Sequence, residues 1–204
     1  MKTLKIRCVG ISPLMMDPMS EAQLKAIITK VPLQVARDRP FEDVAAEKIY
    51  REPGGRVALN AGMLFSCLVK AGRNIKIGKK AVSTAETTTL PDFLSIVDEY
   101  MPLTNIPANA NGHEKEFWAV DIRKGTAYNG PKPTACGIVR PKFPKWEFEV
   151  TVRVDEKKVD DSTVTALFTN AGSTQGLGSF RPNKKGTFGR FEVAEMKEVK
   201  ATAH

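Results

Sequence analysis

QGLGSFRPNKKGTFGRFEV, residues 175–193, is the stretch on which the reading of this chain turns. Four glycines (Gly176, Gly178, Gly186, Gly189) punctuate it, with Arg181, Lys184, Lys185 and Arg190 between them and no acid before Glu192. Glycine lacks a Cβ, so it turns freely through φ > 0 and lets a second backbone come close. Successive N–H groups in such turns form concave nests for anions, and nearby cations add to the field. A helical pattern precedes the stretch and an alternating strand pattern, Thr187 to Val193, closes it. A basic, glycine-rich loop on that joint reads as a seat for a phosphate backbone. Gly176, Gly178 and Gly186 would form the cradle, and Arg181, Lys184, Lys185 and Arg190 the contacts. The alternative is a long connecting loop that needs glycine only for its turns.

Two phosphate motifs are excluded. Gly186 is followed by Thr187 and Phe188, so there is no G-x-x-x-x-G-K-[ST] loop. Gly176 and Gly178 lack the third glycine of a dinucleotide fingerprint and precede a strand where that motif opens a helix. No nucleotide cofactor is implied.

Outward from the loop, 31 Lys+Arg against 23 Asp+Glu give a formal charge of +8 over 204 residues. That balance favours a polyanionic partner. The cations are segregated: Arg123, Lys124, Lys132, Arg140, Lys142 and Lys145 fall in an acid-free run from Ile122 to Trp146. Another acid-free run, Lys70 to Lys80, carries Lys70, Arg73, Lys76, Lys79 and Lys80. Acids gather around Glu42–Glu52, Asp92–Glu99 and Asp155–Asp161, which argues for one positive face. Cys8, Cys67 and Cys136 are far apart and lack ligand spacing, so they read as reduced thiols of a cytoplasmic protein. With two histidines, His113 and His204, no metal site is expected. No apolar run approaches the ~20 residues of a membrane helix, so no membrane partner is expected.

In chain order, Leu4, Ile6 and Cys8 alternate as a half-buried strand ending at Gly10. A proline-broken apolar loop follows, with methionines that serve as core filling or as a contact surface. Ser20 and Gln23 form a capping box for a helix with a Leu24, Ile27, Ile28 stripe. A second helix starts at Phe41 or Glu42, and a third, capped by Asn60, carries Leu64, Cys67, Leu68 and Ala71 inward. Residues 78–112 read as an insertion with one strand between Phe93 and Leu103. Lys124 to Pro133 reads as a hairpin tip. Thr134–Arg140 and Trp146–Val154 are the clearest strands, and Ser162 caps a last helix before the glycine loop. A polar tail is expected from Lys197.

One domain over residues 1–204 is expected, with elaborations at about 11–56 and 78–112. Without these, the order is strand, helix, strand, strand, helix, strand. That predicts an α+β, ferredoxin-like (RRM-like) β-α-β-β-α-β core with a helical N-terminal elaboration and an inserted loop region. The fold alone leaves function open.

Three segments in order resemble the RAMP superfamily proteins of CRISPR–Cas systems. They are Gly10-Ile-Ser-Pro-Leu14, the lead-in Val57-Ala-Leu-Asn-Ala-Gly to a helix ending near Lys70 and Arg73, and the loop GLGSFRPNKKGTFGRF. The closer likeness is to the backbone subunit that polymerises along guide RNA, and a compact or phage-borne relative fits the length. The resemblance implies a non-catalytic subunit, stacked in many copies with other Cas-type subunits, gripping single-stranded guide RNA. Its RNA-kinking hairpin would be residues 124–133 or residues 78–112.

On that reading the nucleic-acid contacts are Arg181, Lys184, Lys185, Arg190, Arg123, Lys124 and Arg140, with Lys76, Lys79 and Lys80 as a second rank. Phe180 and Phe188 either stack bases or bury against the neighbouring helix. A second reading, which the resemblance allows, is a guide-RNA-processing endoribonuclease with His113 as acid or base, or a subunit that cleaves the target strand with Asp17. A third is a phage single-stranded nucleic-acid-binding protein, or a decoy of a CRISPR subunit.

Overall fold

A computed structural model describes residues 1–31, 38–107, 114–127 and 132–199. The first half holds β1 (Lys2–Gly10), β2 (Leu14–Met15), α1 (Glu21–Thr29), α2 (Phe41–Ala46), β3 (Ala58–Asn60) and α3 (Ala61–Ala71). Next come β4 (Lys76–Ile77), β5 (Lys80–Ala81), β6 (Leu94–Ile96) and β7 (Tyr100–Pro102). The chain ends with β8 (Ala119–Ala127), β9 (Thr134–Phe143), β10 (Glu147–Val154), α4 (Asp161–Asn170) and β11 (Phe191–Val199). The fold is mixed α and β with antiparallel sheets and few helices. Among the described residues, no helix is long and apolar enough to cross a membrane.

The central sheet has the order β11-β1-β10-β6, antiparallel at every pairing. Alternation fixes its inner face: Leu4 lies opposite Val152, Ile6 opposite Val150 and Cys8 opposite Phe148, all buried. Each such side chain contributes roughly 1.5–3 kcal/mol by leaving water. Leu64, Cys67, Leu68 and Ala71 of α3 join the same core as Val164, Leu167 and Phe168 of α4. The other face carries Lys5 and Arg7, paired with Glu149 and Glu147. A second sheet, β2-β9-β8, is dominated by the long β8–β9 hairpin, in register from Ala119–Lys142 to Ala127–Thr134.

Trp146 ties the two sheets to the start of the chain. Its ring stacks on Phe148 with centroids 6.0 Å apart and meets Phe191 edge-on. Its indole N–H donates to the Ser12 carbonyl at 2.7 Å, so the buried polar atom is satisfied. Gly10 is required there, because an added Cβ would overlap the indole.

Several expectations shift. Leu94–Ile96, inside the stretch read as an insertion, is the edge strand of the central sheet, pairing through Ile96 with Val152. Thr134–Phe143 instead pairs with β8 and, at its end, with Leu14 and Met15. Asp160, not Ser162, caps α4: its carboxylate accepts from Thr163 N at 2.8 Å and from the Ser162 hydroxyl. The last strand runs from Phe191 to Val199, further than the alternation suggests. Its ladder to β1 extends to Thr3–Val199, and residues 187–190 are used in loop contacts. The α1 capping box is present, yet Leu24, Ile27 and Ile28 of its stripe are exposed. His113, His204, the apex of the 124–133 tip and the end of the 78–112 region lie outside the described residues.

Candidate nucleic-acid interface

The glycine loop is built by docking. After α4 the helix widens into a π-helical turn, Ala171–Gln175, and Gly176 leaves it at φ +69°. The loop then sits on the turn after β1: Ser179 N donates to Met15 O at 2.6 Å and Gly189 N to Pro13 O at 2.8 Å. Arg190 N reaches the Ser12 hydroxyl at 2.9 Å, and Arg190 O accepts from Ile11 N. The Gly10–Leu14 turn and the glycine loop are therefore one unit. This is why close backbone approach is needed. A Cβ on Gly178 would overlap Met15 O, one on Gly186 would overlap Phe180 O, and one on Gly189 would overlap Leu177 O.

This docking gives the glycines a structural use beside the anion cradle expected of them. Gly176, Gly178 and Gly186 are buried, and the N–H groups of Gly176, Leu177, Ser179, Gly186, Phe188 and Gly189 donate inside the protein. Those donors are already spent. The side chains of the loop are its further candidates for anion recognition.

Those side chains edge a cleft of about 370 Å³ between the loop and α3. One wall is the flank of α3, from Asn60 through Ser66 to Lys70, and the other runs from Gln175 to Gly178, then Arg181 and Asn183. Asn60 caps the helix by accepting from Gly62 N at 2.7 Å. Lys70 donates to Asn183 Oδ1 at 3.2 Å, and Asn183 donates to Gln175 Oε1 at 2.7 Å, so a polar chain spans the cleft. Arg181 is anchored by a hydrogen bond to the Gly178 carbonyl. Partial burial, then the charges of Arg181 and Lys184, hold the Lys70 ammonium below its ordinary pKa. Tyr50, at the rim, has its hydroxyl pKa raised by burial and by the charge of Asp17, with Arg181 opposing. Cys67 is no nucleophile here, since burial pushes its thiol up to about 12.

A second cleft, of about 320 Å³, shares Ser66 and Lys70 with the first and continues to Arg73. Arg73 is exposed and donates to the Thr84 carbonyl at 3.1 Å. The two clefts make one groove along α3. Lys70, Arg73, Arg181, Lys184, Lys185 and Arg190 have no acid partner among the described residues.

Other predicted contacts are placed differently. Arg140 is paired with Asp17 at 2.7 Å and is mostly buried; Asp17 also takes Lys48 at 3.0 Å. Both Asp17 oxygens are thus committed to a tie between the turn, the exit of α2 and β9. Arg123 makes a two-point contact with Asp121, 2.6 and 3.1 Å, and lies over the Phe180 and Phe188 rings. Lys124 is exposed on β8, while Lys76, Lys79 and Lys80 are exposed around the β4–β5 turn.

No family model and no curated protein sequence matches the chain. The structure is similar to a chain in the cryo-EM structure of type III-B Cmr-β bound to cognate target RNA. The TM-score is 0.47 at 10% identity, and the match covers 98% of this chain. It covers 61% of the other, so this chain spans less than two thirds of that neighbour's length. A likeness at this level decides nothing about chemistry.

Sequence reasoning left Lys70, Asn183, Gln175 and Tyr50 out of the site. Lys70 carried a usable signal: it sits three residues after Cys67 and four after Ser66, so a helix places it beside the buried stripe. Tyr50 carried none, because its approach to the groove is tertiary.

Proposed function

We propose that this chain is a non-catalytic RNA-binding subunit of a CRISPR-type ribonucleoprotein in the RAMP superfamily. It grips the sugar–phosphate backbone of single-stranded guide RNA and stacks in multiple copies beside other Cas-type subunits in the cytoplasm. The observation that carries this reading is a group of six cations, Lys70, Arg73, Arg181, Lys184, Lys185 and Arg190, that have no acid partner among the described residues. Four of these, Lys70, Arg73, Arg181 and Lys184, gather at the groove along α3. Phosphates in a cleft of this kind bind with little regard to sequence.

The order β11-β1-β10-β6, with α3 joining β1 to β6 and α4 joining β10 to β11, supports a ferredoxin-like core. RNA does not lie across the open face of that sheet in this account. Lys5 and Arg7 there are paired with Glu149 and Glu147, and Arg153 is left exposed. The groove along α3 is the better path.

The test is to purify the chain from cells expressing a guide array and size the nucleic acid it carries. RNA in a ladder of fixed nucleotide increments is expected. Protein free of nucleic acid that also ignores added single-stranded RNA would contradict the reading. Equal binding of RNA and DNA of one sequence would reassign it to general single-strand binding, since the 2′-hydroxyl tells the two apart.

A further inference from the structure

Phe180 is an anomaly of the loop. It has φ +57°, a region that bulky residues avoid, and its side chain is 40% exposed although the core beneath is apolar. The conformation is fixed from both sides: Phe188 N donates to Phe180 O at 3.1 Å, and Gly186 packs against the same carbonyl. Strained backbone held in place by its surroundings is a pointer to function.

The ring has two partners. Phe188 lies with its centroid 6.1 Å away, tilted by 47°. Arg123, from β8 in the other sheet, puts its guanidinium carbon 5.1 Å from the Phe180 centroid and 4.8 Å from that of Phe188. The guanidinium edge is already used by Asp121, itself buried and also 3.6 Å from Lys142. With Nε and Nη2 committed to Asp121, the Arg123 guanidinium lies over the two rings. Lys184 and Lys185 follow in the same loop, both exposed and without acid partners among the described residues.

We propose that Phe180, backed by Phe188 and the Arg123 face, is a stacking platform for one unpaired nucleobase of the strand whose backbone the groove holds. This rests on the proposed grip of a single-stranded nucleic acid and adds to it a contact with the base. Phe180 is the binding residue. Arg123 is a positioning residue that acts through the rings. A stacking site accepts any base, because each has a π face, and it requires the base to be out of a duplex.

The experiment compares the full chain binding oligoadenylate with its binding of an abasic ribose–phosphate oligomer of the same length. A 2-aminopurine base placed in the first oligomer reports stacking. Wild type is expected to prefer the base-bearing strand about tenfold, in line with base–aromatic stacking, and to quench the fluorophore. Phe180→Ala is expected to lose the preference and the quenching, with unchanged abasic affinity and salt dependence; Phe180→Trp keeps them. Arg123→Lys retains the charge yet loses most of the quenching, at wild-type salt dependence. Wild type binding both oligomers equally, or Phe180→Ala matching wild type on oligoadenylate, overturns the platform and leaves the backbone grip standing. Wild type binding neither oligomer overturns both.

Discussion

Lys70 shows how one side chain can cost stability and serve binding. Its pKa is lowered in the folded chain, first by burial and then by Arg181 and Lys184, so folding loosens its proton. Between the folded pKa and the ordinary value of 10.5, the unfolded chain holds more protons and stability rises with pH. Below that window both states are protonated and the cost is present in full. Lys70→Met is therefore expected to raise the thermal midpoint at neutral pH, and the gap to wild type should close as pH climbs past 10.5. The same variant should weaken binding of single-stranded RNA and lower the salt slope by about 0.7, the share of one phosphate contact. A midpoint that falls at neutral pH, with unchanged RNA affinity, would show Lys70 to be an ordinary surface charge. Arg140 teaches the reverse. Its sequence neighbourhood is as basic, but a fold contact with Asp17 withdraws it from solvent.

At the scale of the element, the glycine loop is held by its fit to the Gly10–Leu14 turn. Gly189 has φ +71°, and a Cβ there would overlap Leu177 O, so Gly189→Ala should cost about 3 kcal/mol in denaturant unfolding. Gly137, on an exposed part of β9 with nothing near its Cα face, should accept alanine within about 0.5 kcal/mol. Equal costs at the two sites would contradict the docking. This element also shows what the sequence could and could not convey. Its glycine spacing, its cations and the alternation of Trp146, Phe148, Val150, Val152 and Val154 are local patterns, and all five of those side chains are buried as the period of two requires. That Gly178 and Gly189 give the loop its backbone contact with Met15 and Pro13 is a long-range fact. No local pattern separates that use of glycine from an anion cradle. Leu94–Ile96 was hard to place for a related reason: three residues are too few for alternation to show.

For the whole molecule, charge segregation in the sequence became a groove only because α3 brings Lys70 beside a loop more than a hundred residues away. The sheet supplies rigidity, with one face buried under α3 and α4 and the other closed by ion pairs. Lys70, Arg73, Arg181 and Lys184 at the groove, and Lys185 and Arg190 in the loop that borders it, have no acid partner among the described residues. Association with single-stranded RNA then releases counterions in proportion to the phosphates held. The most direct measurement is the affinity of the purified chain for a single-stranded RNA oligomer across a salt series. Six cations with no acid partner among the described residues predict a log–log slope of about −4, with a proportionate fall when Arg181, Lys184 and Lys185 are replaced together by alanine. A slope near zero, or a slope that this triple replacement leaves unchanged, would contradict the account.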